Sequence, residues 1–238
     1  PNYGRADDYT PDELRNLRAH YCAEAELVDR WVGRVLQKID DLELWDNSIV
    51  VFTTDHGMSL GEHNRTGKCN INNNDQRCWP IYPEVAHIPF MIAAPGLDAG
   101  REIDELIQPP DILPTLLELA GVKAAPPQAF HGKSFAAMLG GQAAEPLRDF
   151  AITASHLRVG GKQGISRKHV TPVLYTKQWA YAPIGPAGEQ ELFDLQADAY
   201  CENNVASDHP DVVKELHEKL TDWLKEIDAP KEAIAPFK

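Results

Sequence analysis

The chain has 238 residues, room for one large or two modest domains, and its 43% hydrophobic and 25% charged content is that of a folded protein in water. A net charge of −13 argues against nucleic acid or an anionic membrane as the main partner, while leaving room for a local cationic pocket. No apolar run approaches the length of a membrane span, so no membrane partner is expected.

The chain opens on Pro1 without an initiator Met, carries no visible signal peptide and reads as a piece of something longer; no compartment is assigned. Residues 1–9 are polar and read as loop. Thr10 starts a long helix, with Pro11 at its first position and Thr10 and Glu13 in capping-box spacing. Leu14, Leu17, Tyr21, Val28, Val32, Val35 and Ile39 form one apolar stripe, and the helix should end near Asp40. Cys22, on this helix, reads as a small core residue. Asp46 and Asn47 then turn the chain into a strand.

The informative stretch runs from Ser48 to Lys68. Ile49 to Phe52 are apolar and β-prone, which suits a strand buried on both faces, as in a parallel sheet. The run ends in Asp55, His56 and Gly57. Ligands of open α/β sheets bind just past strand ends. A carboxylate and a neutral imidazole there make half a metal site, and the close-following Lys68 adds a cation for an anion. An Asp-His-Gly turn with a solvated lysine is the alternative.

A long polar loop follows, from Cys69 to Cys78. These two cysteines are either bridged or free thiols, and the loop between them either contacts a ligand or contacts none. Ile88 to Ala94 reads as another buried strand, Ile103 to Gln108 as a short strand, and Asp111 to Ala120 as a helix capped by Asp111 and stopped by Gly121. Residues 122–128 are the expected boundary between domains 1–125 and 126–238. Beyond it, Phe150 to Thr153, Val170 to Thr176, Trp179 to Ala182 and Glu191 to Leu195 are short β-type segments that suggest a small antiparallel sheet. A final helix opens at Asp208-His209-Pro210 and should bury Val212, Leu216, Leu220, Trp223 and Ile227.

Taken together, Thr54-Asp55-His56-Gly57, Leu60-Gly61-Glu62-His63, Gly67-Lys68, Glu84 with Ile88-Pro89-Phe90, Ala94-Pro95-Gly96, the Asp111 to Gly121 segment and Glu191-Leu-Phe-Asp-Leu195 resemble the sulfatase family of the alkaline phosphatase superfamily. The resemblance spans nearly the whole chain in order. It implies an α/β fold: the C-terminal part of a mixed α/β sulfatase domain, followed by a small subdomain of antiparallel sheet and helix. It implies sulfuric ester hydrolysis, with a sulfate ester or sulfated sugar as substrate. It also implies a divalent cation, calcium first, and a formylglycine nucleophile made from Cys or Ser.

By the same resemblance Asp55 and His56 fall on metal-ligand positions, and Lys68 is the catalytic, sulfate-contacting lysine. His63 is a second expected substrate-binding residue. Imidazole at position 56 also admits manganese or zinc. The chain departs from the family in two ways. The Cys or Ser-x-Pro or Ala-x-Arg pattern that carries the nucleophile is absent, because Tyr82 stands where Cys78-Trp79-Pro80 would need Arg, and the early Asp-Asp pair of further metal ligands is absent too. Both belong to the N-terminal half in the family. The chain alone is therefore expected to be inactive, to bind metal weakly, and to self-associate through an uncovered apolar face. A phosphodiesterase or phosphonate monoester hydrolase of the same superfamily is the alternative. That reading wants a further ligand His, for which His131 is the candidate, although His131 also fits a surface turn.

Overall fold

The computed structural model describes residues 4–68, 77–123, 129–141, 145–154 and 171–235. In chain order the elements are α1 (Pro11–Asp41), β1 (Val50–Thr53), β2 (Ser59–Leu60), β3 (Thr66–Gly67), α2 (Pro83–Ala86), β4 (Phe90–Ala93), α3 (Ile112–Leu119) and α4 (Ala136–Leu139). Then follow β5 (Ala151–Thr153), β6 (Val173–Tyr175), β7 (Trp179–Ala182), β8 (Glu191–Asp194), α5 (Pro210–Glu226) and α6 (Lys231–Ile234). The chain divides into two compact units, each discontinuous in sequence. One comprises Pro11–Asp55 and Pro89–Asp149; the other comprises Pro1–Thr10, His56–Ile88 and Phe150–Lys238. The boundary expected at 125/126 falls within 124–128, outside the described residues.

The first unit holds α1, β1, β4, α3 and α4. Helix α1 begins at Pro11, as expected, with Asp12 and Glu13 in its first turn and Lys38 in its last, a charge order that suits the helix dipole. It buries none of its residues. Tyr21, Val28 and Val35 of the apolar stripe stand 45%, 54% and 61% exposed. Cys22 is an exposed free thiol rather than a core residue, while Leu14, Leu17, Val32 and Ile39 are half-buried.

Strand β1 pairs antiparallel with β4, Val50 opposite Ala93 and Thr53 opposite Phe90. This corrects the parallel, doubly buried reading. A continuous apolar run reports low polarity, and it encodes neither strand direction nor which faces are covered. Among the described residues the pair forms a two-stranded ribbon, with Phe52 and Met91 exposed. Ile103 to Gln108 is irregular rather than a strand. Its anchors are side-chain contacts: Arg148 donates to the Leu106 carbonyl, and Glu105 accepts from the Leu147 N–H.

Asp111 does more than cap α3. It closes a 3-10 turn over Pro109–Asp111 in a reciprocal box with Gln108. Its fully buried carboxylate accepts from the Gln108 and Lys133 backbone N–H groups at 2.7 and 2.8 Å, and from both Arg148 guanidinium nitrogens at 2.5 and 2.6 Å. Burial opposes the ionised form, but the Arg148 and backbone hydrogen bonds outweigh it and hold the carboxyl below its ordinary range. Beside it Gly132 leaves room for the Pro110 carbonyl, which a Cβ would approach to 2.0 Å.

The second unit is built on the antiparallel sheet β5-β6-β7-β8, with all three pairings as the turn-bounded sequence segments suggest. Its side chains alternate faces with period two. Leu174, Tyr181 and Leu192 join Val213, Leu216, Leu220 and Leu224 of α5 in one core. Val173, Ala180, Ala182 and Phe193 pack on the other side with Tyr82 and Cys201. On α5, Leu216 and Leu220 face inward as expected, flanked by Val213 and Leu224; Val212 and Trp223 are half-buried, and Ile227 lies past the helix end, 46% exposed. Among the described residues no helix is long and apolar enough to cross a membrane.

Candidate active site

The residues from His56 to Lys68 form a hairpin. Its strands β2 and β3 pair Ser59 with Gly67 and Leu60 with Thr66. The turn is closed by the Gly61 N–H donating to the Arg65 carbonyl at 2.8 Å, with His63 and Asn64 both in the left-handed region. Pairing across the hairpin brings Lys68, next to Gly67, back toward its start. Lys68 Nζ lies 2.6 Å from His56 Nε2. The other ring nitrogen, Nδ1, lies 2.8 Å from the Gly57 carbonyl.

These contacts fix the state of the ring. A carbonyl only accepts, so Nδ1 carries the proton; an ammonium only donates, so Nε2 presents its lone pair. Nε2 of His56 thus faces the Lys68 ammonium. The same lone pair is what a divalent metal would need. Asp55, the preceding residue, follows the β1 ribbon, and its exposed carboxylate accepts from the Thr54 hydroxyl at 3.4 Å. Carboxylate and imidazole are donor types that suit a divalent cation, and would supply two ligands. Among the described residues no group of three or more His, Cys, Asp and Glu side chains converges.

His63 lies elsewhere on the hairpin, with both ring nitrogens engaged. Nδ1 donates to Glu84 Oε1 and Nε2 to the Cys201 carbonyl, each at 2.9 Å. The ring stacks on Tyr82 with centroids 3.8 Å apart. Burial disfavours the charged ring, but the Glu84 hydrogen bond and charge, with the Cys201 carbonyl, outweigh it and raise its pKa. Glu84 responds in the opposite sense: burial pushes it up, yet the His63 contact brings it below its ordinary value. Both describe one ion pair, its side chains each 14% exposed. His63 and Glu84 line one side of an open 420 Å³ cleft with Glu62, Tyr200 and Glu202.

The hairpin leans on the sheet through Tyr82 and Arg65. Tyr82 meets Phe193 edge-on and donates to Glu191 at 2.7 Å. Burial raises both the Tyr82 hydroxyl and the Glu191 carboxyl. Arg65, 2% exposed, donates to the Pro80 and Cys78 carbonyls at 2.9 and 2.7 Å and lies over the Trp79 and Tyr82 rings. Cys78 is a free thiol raised by burial; Cys69 and the loop to residue 76 lie outside the described residues. His131 is exposed. Sequence reading names Asp55, His56 and Lys68 together; the structure brings Lys68 and His56 within 2.6 Å, with Asp55 the residue before His56 in the chain. Sequence reading assigns no role to Ser59, Tyr82 or Arg65, and sees Glu84 only as a motif residue.

A sequence model of the sulfatase family matches residues 1–122, and one described as N-sulphoglucosamine sulphohydrolase, C-terminal, matches residues 74–226. The chain belongs to the sulfatase family. It is 28% identical to arylsulfatase K of Xenopus laevis over 214 residues, which cover 89% of this chain and 38% of that protein. It is 31% identical to an endo-4-O-sulfatase of Bacteroides thetaiotaomicron, over 89% of this chain and 42% of that one. Among solved structures, a phosphonate monoester hydrolase of Agrobacterium radiobacter superposes with a TM-score of 0.75 at 26% identity, covering 92% of this chain and 43% of that one. A 2-O GAG sulfatase superposes at 0.74 with 24% identity, over 92% and 45%. This sulfatase-family chain thus spans less than half the length of these relatives.

Proposed function

We propose that this chain provides the metal- and sulfate-facing hairpin of a sulfuric ester hydrolase whose substrate is a sulfated sugar. The observation that carries the reading is Lys68 Nζ held 2.6 Å from His56 Nε2, one residue after Asp55. Asp55 and His56 would hold a divalent cation, for which calcium suits the carboxylate, and manganese or zinc the imidazole. Such a cation, when bound, polarises a sulfate oxygen. Lys68 remains an ammonium and stabilises negative charge as it develops on the ester oxygens. His56 Nε2 has one lone pair and serves one partner at a time, so a cation bound there would take the place of Lys68 and leave the Lys68 N–H groups for the anion.

The formylglycine nucleophile finds no counterpart here. No Cys or Ser of this sequence stands in the required pattern, and no step is derived through it. The sulfated-sugar assignment is supported by the names of similar proteins: an endo-4-O-sulfatase, a 2-O GAG sulfatase, and a protein solved in complex with its substrate D-glucosamine-2-N,6-O-disulfate.

The test is steady-state kinetics of the full-length protein on an aryl sulfate. Lys68→Ala should lower kcat by about 10²–10³, as loss of one preorganised charge-stabilising donor does. Lys68→Arg should restore only part, because a planar fork does not replace a compact ammonium. A change confined to KM would mean that Lys68 only binds the ground state. Phosphonate monoester hydrolysis is the second reading, favoured by the 0.75 superposition at 26% identity. The ratio of kcat/KM for an aryl sulfate and a phenylphosphonate monoester separates the two.

A further inference from the structure

The site hairpin has a support that neither composition nor motif identifies. Helical turn α2 lies against it at two points, and both belong to Glu84 or its neighbour. The first is backbone. The Gly57 N–H donates to the Val85 carbonyl at 2.9 Å, and a Cβ on Gly57 would come within 2.0 Å of the Glu84 carbonyl oxygen. The second is side chain. Ser59, 2% exposed, donates its hydroxyl to Glu84 Oε1 at 2.9 Å, and His63 Nδ1 donates to that same oxygen.

These contacts bracket the two functional groups. Gly57 is bonded to His56, and its carbonyl takes the Nδ1 proton that leaves Nε2 open. Ser59 is paired across the hairpin with Gly67, which is bonded to Lys68. A shift of the hairpin away from α2 would therefore alter the His56 tautomer at one end and the Lys68 position at the other. His63 is in turn tied to the Cys201 carbonyl and stacked on Tyr82, so the Glu84 carboxylate is linked to two residues that pack against the sheet.

We infer that Glu84 is a positioning residue: its carboxylate, through Ser59 and His63, holds the hairpin against α2 and so sets the His56 tautomer and the His56–Lys68 distance on which the site depends. The carboxylate touches neither group, and acts on them through the hairpin. The inference rests on the reading of His56 and Lys68 as site residues, but its central claim is geometric and is measurable without turnover.

The experiment is a long-range ¹H–¹⁵N correlation spectrum of the histidine rings in the 238-residue chain, with His56 assigned by His56→Gln. Wild type should show His56 as the single Nδ1–H tautomer. Glu84→Ala and the milder Ser59→Ala should both shift it to a tautomer mixture, whereas Glu84→Gln, whose amide oxygen still accepts from Ser59 and His63, should keep the wild-type signature. If Glu84→Ala fails to fold, Ser59→Ala decides the same point. An unchanged His56 tautomer in Ser59→Ala and Glu84→Ala overturns the inference, and so does Glu84→Gln behaving like Glu84→Ala. In the full-length protein, Glu84→Ala should cost about 10–100-fold in kcat, the usual effect of losing an outer-shell partner, with Glu84→Gln recovering most of it. A wild-type protein inert toward sulfate esters would sink the functional proposal while leaving the tautomer result to judge Glu84.

Discussion

Asp111 illustrates how one carboxylate can organise a unit that has little apolar core. It is fully buried, takes two backbone N–H groups and a two-nitrogen contact from Arg148, and so joins the segments around residues 108, 133 and 148. Removing one partner of such a pair leaves a buried charge uncompensated. Arg148→Ala should therefore lower unfolding stability by about 3–5 kcal/mol, read by urea denaturation at neutral pH. The depressed Asp111 pKa adds a sign. Its contribution is present above the ordinary carboxylate value of 3.8 and is lost as pH falls through the folded value, so the difference between wild type and variant should close in strong acid.

The His63–Glu84 pair behaves in the opposite direction on its histidine side. His63 is raised above 6.5, so its contribution is complete below that value and is lost as pH rises through the folded pKa. Glu84 is lowered below 4.5 and contributes fully above that value. The pair is thus most stabilising between 4.5 and 6.5. The melting temperature of wild type minus that of His63→Gln should be largest in that window and shrink toward pH 9. A difference independent of pH would mean that stacking on Tyr82, rather than charge, is what His63 contributes.

At the scale of elements, the sheet and α5 carry the stability of their unit. Leu220 is 0% exposed between the helix and Leu174, Tyr181 and Leu192. Leu220→Ala should cost about 2–5 kcal/mol by denaturant titration, whereas Ile227→Ala, at the exposed end, should cost little. This part of the fold is legible in the sequence because its signals are local. Short β-prone runs bounded by Gly, Pro and polar turns give strand limits to within a few residues, and Pro210 marks the helix start. The direction of β1 is not local information, so the apolar run misleads there. The site divides the same way. His56 and Lys68 stand out by residue type and spacing along one hairpin, and Asp55 by standing next to His56. Ser59 and Glu84 are 25 residues apart and meet only once α2 has folded back, which no periodicity encodes.

For the whole molecule, the exposed face of α1 sets a balance between attraction and repulsion. Tyr21, Val28, Trp31 and Val35 recur at helical spacing and are each 45% or more exposed, a contiguous apolar strip of the kind that marks an interaction surface. The charge of −13 opposes the approach of a second copy. That repulsion is screened by salt, since the Debye length falls from about 8 Å at 0.15 M to about 3 Å at 1 M, whereas apolar contact is not weakened by it. The 238-residue chain should therefore self-associate more as salt rises, the reverse of an assembly held by ion pairs. Sedimentation velocity across that salt range reads the effect as a rising weight-average sedimentation coefficient. Val28→Lys combined with Val35→Lys places two charges on the strip at exposed positions and should return the chain to monomer at every salt concentration, with its circular dichroism unchanged. A wild-type chain that stays monomeric from 0.15 to 1 M salt would show that α1 does not drive association between copies.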